Sequence, residues 1–171
     1  MNISIRLRSP RSLGIFLLSV FLLTSCDYYP ENGKWVGELL ITDERSRESY
    51  RCPVEVDLYR SMATVNVRSL EIRCGWQFSR SLFWRASDYE RRGTDLVKDG
   101  QRIGDIYPDG TVRIDMRDPQ MRDSYPNRAD RLVLTWSHIG EGKLHFSLRE
   151  DYAGKSRTLE GQLQRSDAKT I

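Results

Sequence analysis

The chain has 171 residues, and its 27 Lys and Arg against 24 Asp and Glu give a formal net charge of +3. Three arginines and no acid lie in residues 1–25, so residues 26–171 hold 24 basic and 24 acidic side chains and no net charge. This balance excludes nucleic-acid binding driven by a bulk positive field. The 146 residues that follow residue 25 suit one domain, able to bury about two thirds of its unfolded surface.

Residues 1–25 have the order of a secretory signal peptide. Arg6, Arg8 and Arg11 precede an apolar run of 11 residues, 13–23. That run is shorter than the roughly 20 residues that span a bilayer as a helix. We therefore expect the chain to be exported and residues 1–25 to be removed.

The end of this segment provides an acceptor for lipid. The tetrapeptide Leu23-Thr24-Ser25-Cys26 resembles the lipobox of bacterial lipoproteins. The resemblance implies that the Cys26 thiol receives a diacylglyceryl group, that the chain is cut before Cys26, and that the new amine is often acylated, for example with palmitate. The alternative is a free cysteine after an ordinary signal peptide.

The resemblance also implies a location in the bacterial cell envelope, facing the periplasm. Asp27 resembles the signal that retains enteric lipoproteins in the inner membrane; without that function the outer membrane is expected. Residues 26–32 would form the lipidated end and a tether, of which 27–32 reach at most about 20 Å. Tyr28 and Tyr29 would lie either at the lipid headgroups or in a disordered leader. We assign residues 33–166 to the domain and 167–171 to a tail.

The two remaining cysteines, Cys52 and Cys74, are predicted to form a disulfide. An even pair in an oxidising compartment is most simply paired. Closing a loop of about 22 residues would stabilise the fold by roughly 3 kcal/mol in the chain-entropy account. The rival reading is a metal site, but no histidine or second cysteine pair lies nearby to complete four ligands. We expect no metal and no cofactor.

Apolar residues alternate at period two almost throughout, which predicts strands rather than helices. The parity changes once, between Val67 and Leu70, as a β-bulge would cause. About eight strands in meander order predict an all-β, up-and-down antiparallel barrel; a two-sheet sandwich is the alternative. Residues 118–130 lack a period and are predicted to be the longest loop of the domain.

Turn chemistry predicts four hairpins. A loop at Ser79-Arg80-Ser81 would pair Trp76 with Trp84 and leave Arg80 at a tip; otherwise Arg80 would point into the barrel. Asp99-Gly100 would set Leu96 beside Ile103, and Tyr107-Pro108-Asp109-Gly110 suits a type I turn. A loop at Gly140-Glu141-Gly142 would place Trp136 opposite Phe146 and Leu134 opposite Leu148.

Gly33-Lys34-Trp35 at the start of the first strand resembles the Gly-x-Trp motif of lipocalins and avidins. In lipocalins this tryptophan closes the barrel base and is packed by an arginine from the last strand, which implies that role for Arg157 or Arg165. Ser87-Asp88-Tyr89 is similar to the lipocalin Thr-Asp-Tyr motif, although it follows Trp35 sooner than the family spacing. The resemblance implies a barrel with an interior that can hold a small apolar ligand.

The sequence offers no set of catalytic residues. The predicted register places His138 and His145 on opposite faces of the sheet, so they cannot ligate one metal ion together. The turn at 105–110 lacks the oxygen ligand at the third position of a calcium loop, and Met116 stands where the closing Glu should be. We therefore expect a protein that is not an enzyme. Nineteen arginines follow residue 25, against five lysines in the chain, which indicates either an interface or a compositional bias of the surface.

Three functions fit these observations. The first is a non-enzymatic accessory lipoprotein that binds another envelope protein, with residues 118–130 as its first candidate surface. The second is a carrier of a small apolar ligand or lipid, in a cavity lined by aromatic side chains that could equally fill a core. Those side chains are Trp35, Trp76, Trp84, Trp136 and Phe146. The third is an inhibitor of a cell-wall-degrading enzyme.

Overall fold

The computed structural model describes residues 29–43, 49–74, 82–84, 87–117, 129–152 and 154–167. The elements in these ranges are all strands. They are β1 (Gly33–Asp43), β2 (Ser49–Arg60), β3 (Thr64–Ile72), β4 (Leu82–Trp84), β5 (Ser87–Arg92), β6 (Asp95–Lys98), β7 (Gln101–Ile106), β8 (Val112–Arg117), β9 (Arg131–Gly140), β10 (Lys143–Tyr152) and β11 (Lys155–Arg165).

Several sequence predictions fall outside these ranges. They concern the signal segment, Cys26, Trp76, the tip at Arg80 and most of the loop 118–130. Within the described ranges, no helix is long and apolar enough to cross a membrane.

The strands form one closed antiparallel sheet. Apart from β4, each strand pairs with the next long strand along the chain, β11 returns to β1, and β2 pairs with both β1 and β3. β4 and β5 pair with the same edge of β3 in one register, with Leu70 opposite Trp84 and Val67 opposite Ser87. The eleven strands therefore occupy ten positions around a barrel. This confirms the predicted up-and-down barrel over the sandwich, with more strands than the eight expected.

Two predictions of local register are confirmed. Trp136 lies opposite Phe146 and Leu134 opposite Leu148, as the Gly-Glu-Gly loop requires. The parity change in β3 is a β-bulge, because Asp57 pairs with Ser69 whereas Leu58 pairs with Val67. Arg68 is the extra residue between these pairs, and its side chain is exposed.

Two other predictions of register are wrong. Leu96 lies opposite Gly104 rather than Ile103, because a bulge follows Leu96 in the pairing of β6 with β7. A Cβ at position 104 would overlap the carbonyl oxygen of Arg113 on β8, so only glycine permits this close approach of the strands. Trp84 lies opposite Leu70 of β3, so the predicted pairing of Trp84 with Trp76 is wrong.

The inward faces of the strands make one apolar core, and its largest fully buried side chains include Trp35, Trp136, Tyr89 and Phe146. The barrel has two different ends. The N-terminal end, where β1 begins, carries the short turns β2–β3, β5–β6, β7–β8 and β9–β10. The loop end carries the connections β1–β2, β3–β4, β6–β7, β8–β9 and β10–β11. Near the loop end, Cys52 and Cys74 form the predicted disulfide.

Candidate functional site

The chain closes the N-terminal end of the barrel as it enters. The Trp35 indole Nε1 donates a hydrogen bond to the Glu31 carbonyl oxygen at 2.8 Å. Arg60 Nη1 pairs with the Glu31 carboxylate at 2.7 Å and donates to the Gly110 carbonyl oxygen at 3.2 Å. The Arg60 guanidinium also lies 4.8 Å from the centre of the Tyr29 ring. Residues 29–32, predicted as part of a tether, are thus packed against the barrel.

Arg165, and not Arg157, packs with Trp35 at the base of the barrel. The Arg165 guanidinium lies 6.0 Å from the Trp35 ring centre, whereas Arg157 lies toward the other end of β11. His138 follows the inward parity of β9 and meets Trp35 edge-on, with ring centres 6.5 Å apart. His138 is exposed at this rim, and His145 lies on β10 with its side chain half-buried.

Of the five aromatic residues predicted to line a cavity, the structure brings two together. Trp136 and Phe146 face each other inside the barrel, both almost completely buried. Trp35 lies at the base. Trp76 and the side chain of Trp84 lie outside the described residues. Among the described residues, the Trp136 Nε1 hydrogen has no hydrogen-bond acceptor.

A buried ion pair lies inside the loop end of the barrel. Glu150 is completely buried and accepts hydrogen bonds from both Nε, at 2.6 Å, and Nη2 of Arg157. Arg157 Nη2 also donates to the Tyr152 hydroxyl at 3.4 Å. Burial raises the pKa of the Tyr152 hydroxyl well above its usual value, and the negative charge of Glu150 is the second cause. The pair compensates two charges that would otherwise be costly inside a barrel.

Four arginines project outward on three adjacent strands, three of them near the loop end and one, Arg113, near the start of β8. They are Arg113 and Arg117 of β8, Arg131 of β9 and Arg149 of β10, which we call the arginine face. Arg117 pairs in register with Arg131, and Arg131 with Asp151. The side chains of Arg113 and Arg131 are 39% exposed and that of Arg149 is 53% exposed. These guanidinium groups are therefore accessible from outside.

Two carboxylates orient the arginine face. Asp115 accepts a hydrogen bond from Arg131 Nε at 2.7 Å and another from Arg113 Nη2 at 3.0 Å. Asp151 accepts one from Arg149 Nε at 3.0 Å. Planar guanidinium groups fixed in this way are suited to bidentate contacts with further carboxylates.

The same contacts perturb the aspartates. The hydrogen bonds from Arg131 are the main reason why the pKa of the Asp115 carboxyl is lowered, and Asp115 in turn raises the pKa of Arg131. Burial alone would raise the pKa of Asp151, but hydrogen bonds from Ser156 and Arg149 bring it below its usual value. Both carboxylates are therefore ionised at neutral pH, which keeps the arginine face ordered.

The arginine face was not predicted from the sequence. Its members are separated by up to 36 positions, and each alternates with apolar residues as any solvated strand face does. The high arginine content was the available signal, but the strand register was needed to bring these residues together. No group of three or more His, Cys, Asp or Glu side chains in the described ranges could hold a metal ion.

Comparisons of the chain with protein families, with curated protein sequences and with solved structures found no match.

Proposed function

We propose that this protein is a membrane-anchored lipoprotein of the bacterial envelope, and that its barrel is a non-enzymatic module that binds another envelope protein. The arginine face is the observation that carries the proposal. It groups four guanidinium groups on three adjacent strands of a rigid sheet, although residues 26–171 have no net charge. The partner would offer an acidic segment, because carboxylates match the geometry of oriented guanidinium groups.

The closed sheet restricts how a partner can be recognised. Many β-proteins bind an extended peptide along an unpaired edge strand. Here β1 and β2, like the strands of the arginine face, have neighbours on both sides. Recognition on these strands must therefore use side chains. Arginine is enriched in protein interfaces for this purpose.

The anchor is supported by where the chain enters the barrel. The lipobox ends at Cys26, and Tyr29 already packs at the N-terminal end. Three members of the arginine face, Arg117, Arg131 and Arg149, lie toward the opposite end. A lipid on Cys26 would therefore hold the barrel by one end and leave the arginine face accessible from the periplasm.

The anchor is tested by metabolic labelling with a palmitate analogue in a bacterial host, with membrane fractionation. We expect label on the wild-type protein and recovery in the membrane fraction. In Cys26→Ser, the label and the membrane association should both be lost, while the Cys52–Cys74 disulfide still forms. Equal membrane recovery and no label in either protein would refute the lipid anchor.

Partner binding is tested with a photo-crosslinking amino acid at Thr135, which lies on β9 opposite Arg113. We expect a discrete crosslinked species in cells that is lost when Arg113 and Arg149 are both changed to Glu. The matched control is Arg51→Glu, an exposed arginine that pairs with Glu38 elsewhere on the barrel surface. A crosslink that survives the double change, or that Arg51→Glu removes equally, would exclude the arginine face.

A second candidate function is a carrier of one small ligand. It is favoured by the Trp136 Nε1 hydrogen, which is buried and has no acceptor in the part of the chain that the structure describes, although buried donors are usually paired. A ligand oxygen inside the barrel would provide the acceptor. Native mass spectrometry of the purified protein tests this: a mass excess that disappears on denaturation supports a carrier, and a bare mass refutes it.

A further inference from the structure

The N-terminal end of the barrel carries exposed apolar side chains at three separate places. Met62 in the β2–β3 turn is 63% exposed, Tyr107 in the β7–β8 turn 41%, and Ile139 near the end of β9 46%. Of the large apolar side chains that are exposed in the described ranges, only Val36 and Leu40 lie elsewhere, on the outer face of β1. Hairpin turns and the residues beside them are ordinarily polar. Three exposed apolar side chains at one end of the barrel therefore indicate that this end contacts another molecule or a membrane.

The polypeptide that leads to Cys26 reaches the barrel beside one of these tips. The Tyr29 hydroxyl lies 3.2 Å from the Met62 sulfur and accepts a hydrogen bond from Arg91 Nη1 at 3.4 Å. Cys26 is three residues before Tyr29 and therefore within about 11 Å of it. Acyl chains on Cys26 would hold the N-terminal end of the barrel against the bilayer surface.

We propose that the N-terminal end of the barrel is a lipid-contacting surface, in which Met62, Tyr107 and Ile139 enter the headgroup region of the membrane. This inference rests on the lipid anchor of the proposed function. The anchor confines the barrel to the surface, so that weak apolar contacts suffice to orient it. Aromatic and apolar side chains are favoured in this region.

The charges at the same end are compatible with this contact. Arg60 and Glu31, which close the barrel base, are 10% and 7% exposed and neutralise each other. The exposed Arg92 pairs with Glu90 at 2.9 Å, and Arg165 with Asp167 at 2.8 Å. The surface therefore approaches lipid without separating any of these three pairs of opposite charges.

The test uses the full-length lipidated protein with one added cysteine, since Cys52 and Cys74 are joined and Cys26 would carry the lipid. The variants are Met62→Cys, Tyr107→Cys and Ile139→Cys, with Lys155→Cys at the loop end as the matched control. Each is labelled with an environment-sensitive fluorophore and reconstituted into phosphatidylcholine–phosphatidylglycerol vesicles. The readouts are flotation with vesicles, emission wavelength, and quenching by a doxyl-labelled lipid or by aqueous iodide.

We expect all four proteins to float with the vesicles. The three labels at the N-terminal end should emit at shorter wavelength and be quenched by the doxyl lipid, whereas the label at 155 should be quenched by iodide alone. Flotation with all four labels equally quenched by iodide would overturn this inference and leave the lipid anchor intact. Loss of flotation would overturn the anchor and the inference together.

Discussion

The buried pair of Glu150 and Arg157 gives the sharpest test of how this barrel is stabilised. The Glu150 side chain is 0% exposed and that of Arg157 20% exposed. In Glu150→Ala, the guanidinium would keep its burial and lose the carboxylate that compensates it. An uncompensated buried charge is far more costly than the loss of the contact itself.

The loss of unfolding free energy in Glu150→Ala depends on how deeply the two side chains are buried. Removing one partner of a buried ion pair typically costs about 3–5 kcal/mol of unfolding free energy. Because Arg157 retains some access to solvent, we expect the lower value, about 3 kcal/mol. For a domain of this size, each kcal/mol lowers Tm by about 2–4 °C, which gives a decrease of roughly 6–12 °C.

The control is the exposed pair of Glu38 and Arg51, whose side chains are 56% and 74% exposed. Glu38→Ala should leave Tm nearly unchanged, since exposed ion pairs contribute little. The double change of Glu150 and Arg157 to Leu should regain much of the stability that Glu150→Ala loses. Thermal unfolding followed by circular dichroism measures all three. Equal Tm values for Glu150→Ala and Glu38→Ala would refute the reasoning.

Four further outcomes follow from particular contacts. Replacing Cys52 and Cys74 by Ser should lower the unfolding free energy by about 3 kcal/mol, measured by urea titration against the wild type. Gly104→Ala should destabilise the barrel more than an alanine on an exposed strand face, because its Cβ would overlap the backbone of β8; a thermal melt detects this. The raised pKa of Tyr152 means that only the unfolded state ionises near its ordinary pKa of about 10, so stability should fall above that pH and fall less in Tyr152→Phe. Because the pKa of Asp115 is lowered in the folded state, its ionised carboxylate stabilises the fold at neutral pH, and this stabilisation should be lost as the pH falls below about 4. In Asp115→Asn that loss at acid pH should be absent.

The sequence was sufficient for the type of fold and for much of its register. Alternation identifies the long strands, since a one-residue shift would turn an entire apolar set outward. The β9–β10 hairpin is the clearest case, because its Gly-Glu-Gly loop and four apolar partners agree on one register. The bulge at Arg68 was visible as a change of parity for the same reason.

The number of strands was underestimated where apolar alternation is weak. The sequence of β5 is Ser-Asp-Tyr-Glu-Arg-Arg, in which Tyr89 is the only large apolar residue, and it is completely buried. Such a strand is held by its neighbours β3 and β6 rather than by its own pattern. The short strand β6 pairs with β7 through a bulge next to Gly104, which a turn signal alone does not predict.

The closing of the barrel base was predicted only in part. The Gly-x-Trp resemblance implied an arginine from the last strand, with Arg157 and Arg165 equally suitable by sequence. Both lie on inward positions of β11, eight residues apart and at opposite ends of the strand. The pairing of Trp35 with Arg165 across β1 and β11 decides between them. The ion pair of Arg157 with Glu150 had no signal in the sequence.

The lipid-contacting surface and the arginine face together determine how far above the membrane a partner must bind. Along β9, the lipid-facing Ile139 and the arginine-face residue Arg131 are eight residues apart, which is about 26 Å of strand. With strands tilted by about 40° to the barrel axis, the arginine face would stand at a height of roughly 10–20 Å above the membrane surface, with Arg113, opposite Thr135, as its lowest member. The acidic segment of a partner must reach that height, so a soluble domain or an extended juxtamembrane region fits, whereas a protein confined to the bilayer does not. A partner that crosslinks at Thr135 should therefore have its contact outside its membrane-spanning segments.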